Sequence, residues 1–483
     1  MPKEKNRNCY DRPACPIYRT YPPITRRRLS PLAEALESES PTSIRLNPSK
    51  STPTGTIGDP VLWARHGFYL SSRPTFTFDP RLHAGAYYVQ EAASMFLNRV
   101  IRQYVHEPVR YLDLCAAPGG KSTDAVASLP VGSLIVSNEV IPNRAHILAE
   151  NIVKWGSPYC IVTRNEASAF GALEEYFDII AADVPCSGEG MFRKDPAAIT
   201  EWSAANVAHC AERQRAILTD VWNALRPGGL FIYSTCTYNT EENEEMIGFL
   251  RKKFGAIPLT VDIDPAWNIT PALVGDLPAY RFMPHRTRGE GLFMAILRKP
   301  GEPGETRREA LLSTAEKTEK RNKKNKTPRI AIPDEWRLLV ANPDRYTFIS
   351  DEEKIIAIPA EYTTDYKLLD RNLDLLHAGI TVATLKGKDY VPHISLALST
   401  AFDMNKVVRY EASLDTALAY LRRESLFLPT DLPRGYILVT YEGFPLGWAK
   451  HLGNRTNNLY PQEWRIRSGY TPDTPFELNI APK

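Results

Sequence analysis

Between Tyr111 and Leu297 the chain alternates short apolar runs with amphipathic stretches in a regular order. The runs are "RYLDLC", "GSLIVSNEV", "PYCIVTRNEA", "YFDIIAADVPC" and "GGLFIYSTC", each bounded by turn residues and each separated from the next by a segment of helical periodicity. Apolar runs of four to eight residues read as strands buried on both faces, and their alternation with helices predicts a mostly parallel sheet covered on both sides. The pattern predicts an α/β core that is complete near "GLFMAILRKP", at about Pro300. Residues 1–105 read as a mixed α+β N-terminal domain entered through a Pro-rich arm, and 106–300 as the catalytic domain. Residues 301–329 carry nine Lys or Arg, five Glu and only two Leu, which predicts a charged flexible linker. Residues 330–483, with shorter strands and helices, read as a separate C-terminal unit.

The ends of the apolar runs carry the chemistry. In the open α/β folds, ligands bind beyond the carboxyl ends of the strands. There the chain places Cys115 to Lys121 ("CAAPGGK"), Glu139, Glu166, Asp183, Cys186 and Cys236. "GGKS" is not a P-loop, because the position five before Gly120 is Cys115, and no GxGxxG occurs. Glycines at a strand-to-helix turn still admit a ligand close to the backbone. S-adenosylmethionine fits that frame, lying across Cys115, Ala116, Ala117, Pro118, Gly119, Gly120 and Lys121. Glu139 at the end of the next strand can accept from both ribose hydroxyls, and Glu166 one strand later from the adenine amino group. Each of these acids alone also reads as a helix cap or a surface carboxylate.

Composition removes several classes. Hydrophobic content is 43%, and no apolar run of membrane-spanning length occurs. The N-terminal segment lacks the apolar core of a signal peptide, so a cytoplasmic protein is expected. The 7 cysteines include no CxxC pair, so neither a disulfide framework nor a metal site is expected. Net charge is only +3, and the positive charge concentrates at Arg26-Arg27-Arg28 and within residues 307–329.

"DLCAAPGGKS", "DVPCSGEGMFRKDP" and "YSTCTYNTEENE", in that order, resemble the RNA cytosine-carbon-5 methyltransferases of the Sun and RsmF type. "SIRLNP" and "HAGAYYVQEAAS" resemble that family's N-terminal region, and "GYILVTYEGFPLGWAK" with "NNLYPQEWRIR" resembles the PUA-like RNA-binding domain of the RsmF branch. The resemblance implies a Rossmann-like, S-adenosylmethionine-dependent enzyme acting on small-subunit ribosomal RNA, without membrane attachment and as a monomer. Transfer RNA is the alternative substrate, and an inactive RNA-binding assembly factor the alternative from another class. Retention of Asp183, Cys186 and Cys236 together argues against inactivity. A methyltransferase acting on an amino group would want an Asn/Asp-Pro-Pro-aromatic loop where this chain has Asp183-Val184-Pro185-Cys186.

Two thiols suit the implied chemistry, because carbon 5 of cytosine becomes nucleophilic only after a thiolate adds to carbon 6. The resemblance assigns that addition to Cys236 and the later release to Cys186, and the residues themselves leave an exchange of roles open. Asp183 would stabilise the base as charge develops, and Lys121 would contact the cofactor or orient Asp183. Arg193 and Lys194 are candidates for the RNA backbone. In the C-terminal unit, Lys386, Lys388, Lys450, His451, Arg455, Arg465 and Arg467 intersperse with Tyr390, Trp448, Tyr460 and Trp464, a mixture suited to phosphate contact and base stacking. Trp448, between Gly447 and Ala449, is expected in the core.

Overall fold

The computed structural model describes residues 26–302, 306–322, 332–350, 353–471 and 476–483. The Pro-rich arm and the basic run at 323–329 lie outside them.

The apolar runs form one central sheet: β1 (Arg110–Asp113), β2 (Leu134–Asn138), β3 (Cys160–Thr163), β4 (Phe177–Asp183), β5 (Leu225–Thr235), β6 (Ile257–Leu259), β7 (Ala279–Phe282), β8 (Leu292–Arg298) and β9 (Leu375–Ala378). Their order is β6-β8-β5-β4-β1-β2-β3-β9, with β7 also paired to β8. The strands β3-β2-β1-β4-β5 run parallel, and β8 returns antiparallel to β5. This is a Rossmann-like doubly wound sheet. Side-chain alternation sends Leu112, Ile180, Ala182, Phe231 and Tyr233 into one apolar layer and Tyr111, Ile179, Ala181, Leu230 and Ile232 into the other. The runs look continuously apolar because neither face meets water.

Chain order reverses between β1 and β4, which are direct neighbours. Crossovers diverge there, so the loops after β1 and β4 open a crevice at the carboxyl edge. One wall is the N-terminus of α3 (Gly120–Ser128), entered through Gly119 at φ +113°, a left-handed conformation that glycine adopts without penalty. Helix α1 is Arg26–Glu37, α2 is Phe96–Tyr104 and α4 is Pro142–Trp155, closed by Gly156 at φ +88°.

Three expectations about organisation need correction. The sheet does not end at Pro300: β9, from residue 375, pairs antiparallel with β3, and Arg164 and Asp374 join the same edge at 2.6 Å. Nor is the C-terminal part a separate unit, since Ile480–Pro482 pairs with Ser51–Pro53 of the N-terminal region. One apolar cluster there joins Ile44 and Tyr87 to Leu418 and Ile437. Pairing with β9 covers what would be an exposed edge at β3. The expected flexible linker contains a helix, Thr306–Asn322. Leu311 and Leu312 pack on the core, Ala315 is buried, Arg307 pairs with Glu174, and Arg308 reaches Asp178 at 2.8 Å. Averaged over 29 residues the charge conceals a stripe of three small or apolar residues, which is enough to dock a helix whose Arg307 and Arg308 meet carboxylates.

The remainder of the C-terminal half holds two four-stranded sheets, one within residues 346–392 and one within 408–458.

Candidate active site

Parallel pairing of β4 with β5 puts Asp183 beside Ser234. The Ser234 hydroxyl donates to Asp183 Oδ1 at 2.7 Å, and Lys121 Nζ, from the first turn of α3, donates to Asp183 Oδ2 at 2.8 Å. Burial alone would lower the Lys121 ammonium, yet Asp183 more than offsets it and the net shift is upward. Lys121 therefore stays charged and holds the Asp183 carboxylate in place. Just beyond the same strand ends, Cys186 Sγ and Cys236 Sγ lie 3.3 Å apart, both half-buried. The hydrogen bond with Cys236, then burial, push the Cys186 thiol well above its ordinary range. Cys186 keeps its proton at neutral pH.

The glycine turn is held from outside. Pro118 O accepts from Asn151 at 2.8 Å and from Tyr88 at 3.2 Å, and Ala117 O from Arg144 at 2.9 Å. Ala116 is buried and Cys115 half-buried, its thiol raised by burial, while Gly120 faces Tyr88 and Gln90. Beneath the turn, at the end of β1, lies a residue that sequence reading did not select. Asp113 accepts from Ser122 at 2.7 Å through one oxygen, while its other, Oδ1, is buried without a hydrogen-bonding partner among the described residues. Burial raises Asp113 to about 7. Its signal was available: it ends the first strand, two residues before Cys115.

Glu139 is buried at the end of β2, where it accepts from Ile141 N at 3.0 Å and faces Arg144 at 3.3 Å. It binds the chain two residues on but caps no helix, since α4 has Ile141 at its N-cap and no side-chain cap bond. Glu166 is exposed and precedes a short helix without capping it. An orphan buried carboxylate oxygen below a glycine turn, with a second carboxylate one strand on, suits a ligand that presents an ammonium and a diol. S-adenosylmethionine has both groups.

Arg45 and Gln90, from "SIRLNP" and "YYVQEA", were also missed as individuals. Arg45 is fully buried, stacks 4.5 Å over Trp155, and donates to Gln90 at 2.7 Å and to Thr123 of α3 at 2.6 Å. The N-terminal region thus grips the helix that carries Lys121. No spacing rule marks such a residue, because its partners lie on two distant segments.

Some candidates are elsewhere. Arg193 is buried against Glu290 at 2.9 Å and donates to Gly289 O at 2.7 Å, so it is an internal tie and no contact for RNA. Trp448 is in the core, as expected, but His451 and Tyr460 are buried too and cannot stack on a base. His451 ends the strand Phe444–His451 and Tyr460 lies two residues past the strand Thr456–Asn458, both turned inward, which composition does not reveal. Lys386, Lys388, Arg455 and Arg467 are exposed, while Lys450, Tyr390, Trp464 and Arg465 are half-buried.

The chain matches the 16S rRNA methyltransferase RsmB/F family over residues 103–298. It also matches the N-terminal domain of 16S rRNA methyltransferase RsmF over 19–92 and the methyltransferase RsmF PUA domain over 407–466. The ribosomal RNA small subunit methyltransferase F of Citrobacter koseri is 31% identical over 454 residues, which are 88% of this chain and 90% of that protein. The protein of the same name from an Enterobacter species is 30% identical, with 85% and 84% covered. The chain belongs to the RsmB/F methyltransferase family. NSun6 from Pyrococcus horikoshii, a solved structure with a TM-score of 0.50, is 19% identical and shares the fold over 60% of this chain and 99% of its own. The fold is that of an S-adenosylmethionine-dependent methyltransferase, with a PUA-like domain toward the C-terminus. Among the described residues no helix is long and apolar enough to cross a membrane, and no metal-ligating cluster occurs.

Proposed function

We propose that this family member methylates carbon 5 of a cytosine in 16S rRNA through a covalent adduct on Cys236. The observation that carries the proposal is the pair of sulfurs 3.3 Å apart beside a carboxylate fixed by Lys121 and Ser234. Carbon 5 needs a nucleophile at carbon 6 before methylation and a proton removed from carbon 5 after it. Two thiols within reach of one ring serve both needs.

Cys236 thiolate forms the bond to carbon 6, and the electrons displaced make carbon 5 an enamine terminus. Bound S-adenosylmethionine would supply the methyl group as an electrophile. Asp113 would take its ammonium, Glu139 its ribose hydroxyls and Glu166 its adenine amino group, around the turn from Cys115 to Lys121. Asp183 accepts from the exocyclic amine and from ring N3 once that nitrogen carries a proton, so negative charge does not build on the base. Loss of the carbon 5 proton re-forms the ring double bond and expels the Cys236 thiolate. Cys186 loses its hydrogen bond to the Cys236 thiolate once Cys236 is bonded to carbon 6, releases its own proton to solvent, and as a thiolate takes the carbon 5 proton, which leaves it protonated again at the end of the cycle. The target base must be unpaired or flipped outward to enter. Exposed Lys194, Lys386, Lys388, Arg455 and Arg467 are the candidate cations left to meet flanking phosphates.

The test compares wild type, Cys186→Ala and Cys236→Ala on denaturing gels for protein carrying RNA. Accumulation in Cys186→Ala alone supports the assignment, and accumulation in Cys236→Ala alone reverses the two roles. Bisulfite sequencing of ribosomal and transfer RNA from cells with and without the protein decides the substrate. A site lost only from transfer RNA would overturn the ribosomal choice.

A further inference from the structure

Two glutamates in the motifs that carry the cysteines have no place in the chemistry above. Glu189 lies three residues after Cys186 and Glu242 six after Cys236. Both are buried, at 1% and 0% exposure. Each carboxylate crosses to the other loop. Glu189 accepts the backbone N–H groups of Tyr238 and Asn239, the second and third residues after Cys236, at 2.7 and 2.9 Å. Glu242 accepts the N–H of Ser187, the residue after Cys186, at 3.0 Å, and its hydroxyl at 2.5 Å. Asn239 bridges the two acids, donating to Glu242 at 2.7 Å and to Glu189 at 3.3 Å. Gln214 ties Glu242 to Pro185 O at 2.8 and 2.9 Å, and Gly190 N donates to Cys236 O at 2.6 Å.

Buried carboxylates cost desolvation that only several hydrogen bonds repay, and a core could have been sealed here with apolar residues. Backbone N–H groups beside each thiol are what these acids meet instead. An interaction made by one loop alone would fix that loop. A reciprocal one fixes their separation. We infer that Glu189 and Glu242 are positioning residues, a crossed pair of carboxylates that holds the Cys186 and Cys236 sulfurs in contact for the methylation cycle. The catalytic half of this inference rests on the covalent reading given above, and the geometric half does not.

The full-length protein provides both readouts. Diamide oxidises two adjacent thiols to a disulfide while it is itself reduced to the hydrazine, so the rate of Cys186–Cys236 disulfide formation, followed by intact mass and peptide mapping, reports sulfur proximity without RNA or cofactor. Glu242→Gln keeps the shape but replaces one acceptor oxygen with a donor that faces the Ser187 N–H. It should slow disulfide formation by about tenfold or more and lower kcat by about 10–100-fold, with KM for S-adenosylmethionine unchanged. Glu242→Asp, which restores the charge, should recover part of both. Ser187→Ala, which removes only the hydroxyl donor, should show the same pattern at about threefold to tenfold, and it carries the test if Glu242→Gln does not fold. Wild-type rates of disulfide formation in both variants would overturn the inference. Slowed disulfide formation with unchanged kcat would overturn its catalytic half. If no variant of the gel experiment carries RNA, the covalent reading fails while the disulfide rate still decides whether the acids set the sulfur separation.

Discussion

Gly190→Ala isolates the fit between the two cysteine loops in a single methyl group. Gly190 does not have a positive φ, so alanine brings no backbone strain of its own. The obstacle is space. A Cβ at this position would lie 2.4 Å from Cys236 O and 3.0 Å from Gly291 O, whereas ordinary contact begins at 3.4 Å. Backbone carbonyls cannot rotate away as a long side chain can, so the Cys236 peptide must retreat by about 1 Å, and overpacking of this kind costs about 1–3 kcal/mol of stability. The hydrogen bond from Gly190 N to Cys236 O, 2.6 Å in the native fold, stretches with it. A displacement of about 1 Å in a reacting group lowers the rate by about 10²-fold, equivalent to about 2.7 kcal/mol in the barrier. Transfer of labelled methyl from S-adenosylmethionine to 16S rRNA measures the loss of rate, and thermal unfolding the loss of stability. Gly248→Ala is the control: it sits in the helix Glu244–Phe254 with nothing within 4 Å, and should stabilise the protein by about 0.5–1 kcal/mol with full activity. If Gly190→Ala turns over within about twofold of wild type, under about 0.5 kcal/mol in the barrier, the close approach does not set the cysteine position.

Three further outcomes are expected. Burial raises Asp113 to about 7 in the folded protein, whereas an ordinary aspartate titrates near 3.9, so the native state binds this proton more tightly and loses stability as pH climbs from about 4 to about 7. In cofactor-free protein the melting temperature of Asp113→Asn should gain on wild type between about pH 5 and pH 8, and a pH-independent difference would refute the assignment. Arg193→Met takes its closest cation from Glu290, a carboxylate that is 5% exposed and is left with Ser40 and, at 3.8 Å, Lys194, and should cost about 3 kcal/mol in denaturant unfolding while the salt dependence of RNA binding stays unchanged. Leu311→Asp should detach the helix Thr306–Asn322, seen as faster tryptic cleavage within it, at a cost of about 1–3 kcal/mol; unchanged cleavage would show that the apolar stripe does not dock it.

What was legible in the sequence was whatever local chemistry writes into consecutive residues. Strands buried on both faces appear as uninterrupted apolar runs, so the core strands β1 to β5 were readable one by one. A ligand edge follows from them, because every strand of a parallel sheet delivers its last residue to the same side. That is why Lys121, Asp183, Cys186 and Cys236 could be named together without coordinates. The edge itself was not enough to give separations. The 3.3 Å between the sulfurs depends on Glu189 and Glu242 reaching across two loops, and neither glutamate differs in composition from a surface acid.

Tertiary structure decided everything that joins segments far apart in the chain. Strand β9 continues a sheet whose neighbouring strand, β3, ends about 200 residues earlier, and Arg45 reaches α3 across a gap of 78 residues. Periodicity over a short window carries no information about such partners. Charge misled in both directions for the same reason. Arg193, His451 and Arg308 looked like solvent or RNA contacts, since burial of a charge is set by whether a distant carboxylate or carbonyl arrives to pair with it. A sequence specifies which groups want partners, and only the fold determines which partners come.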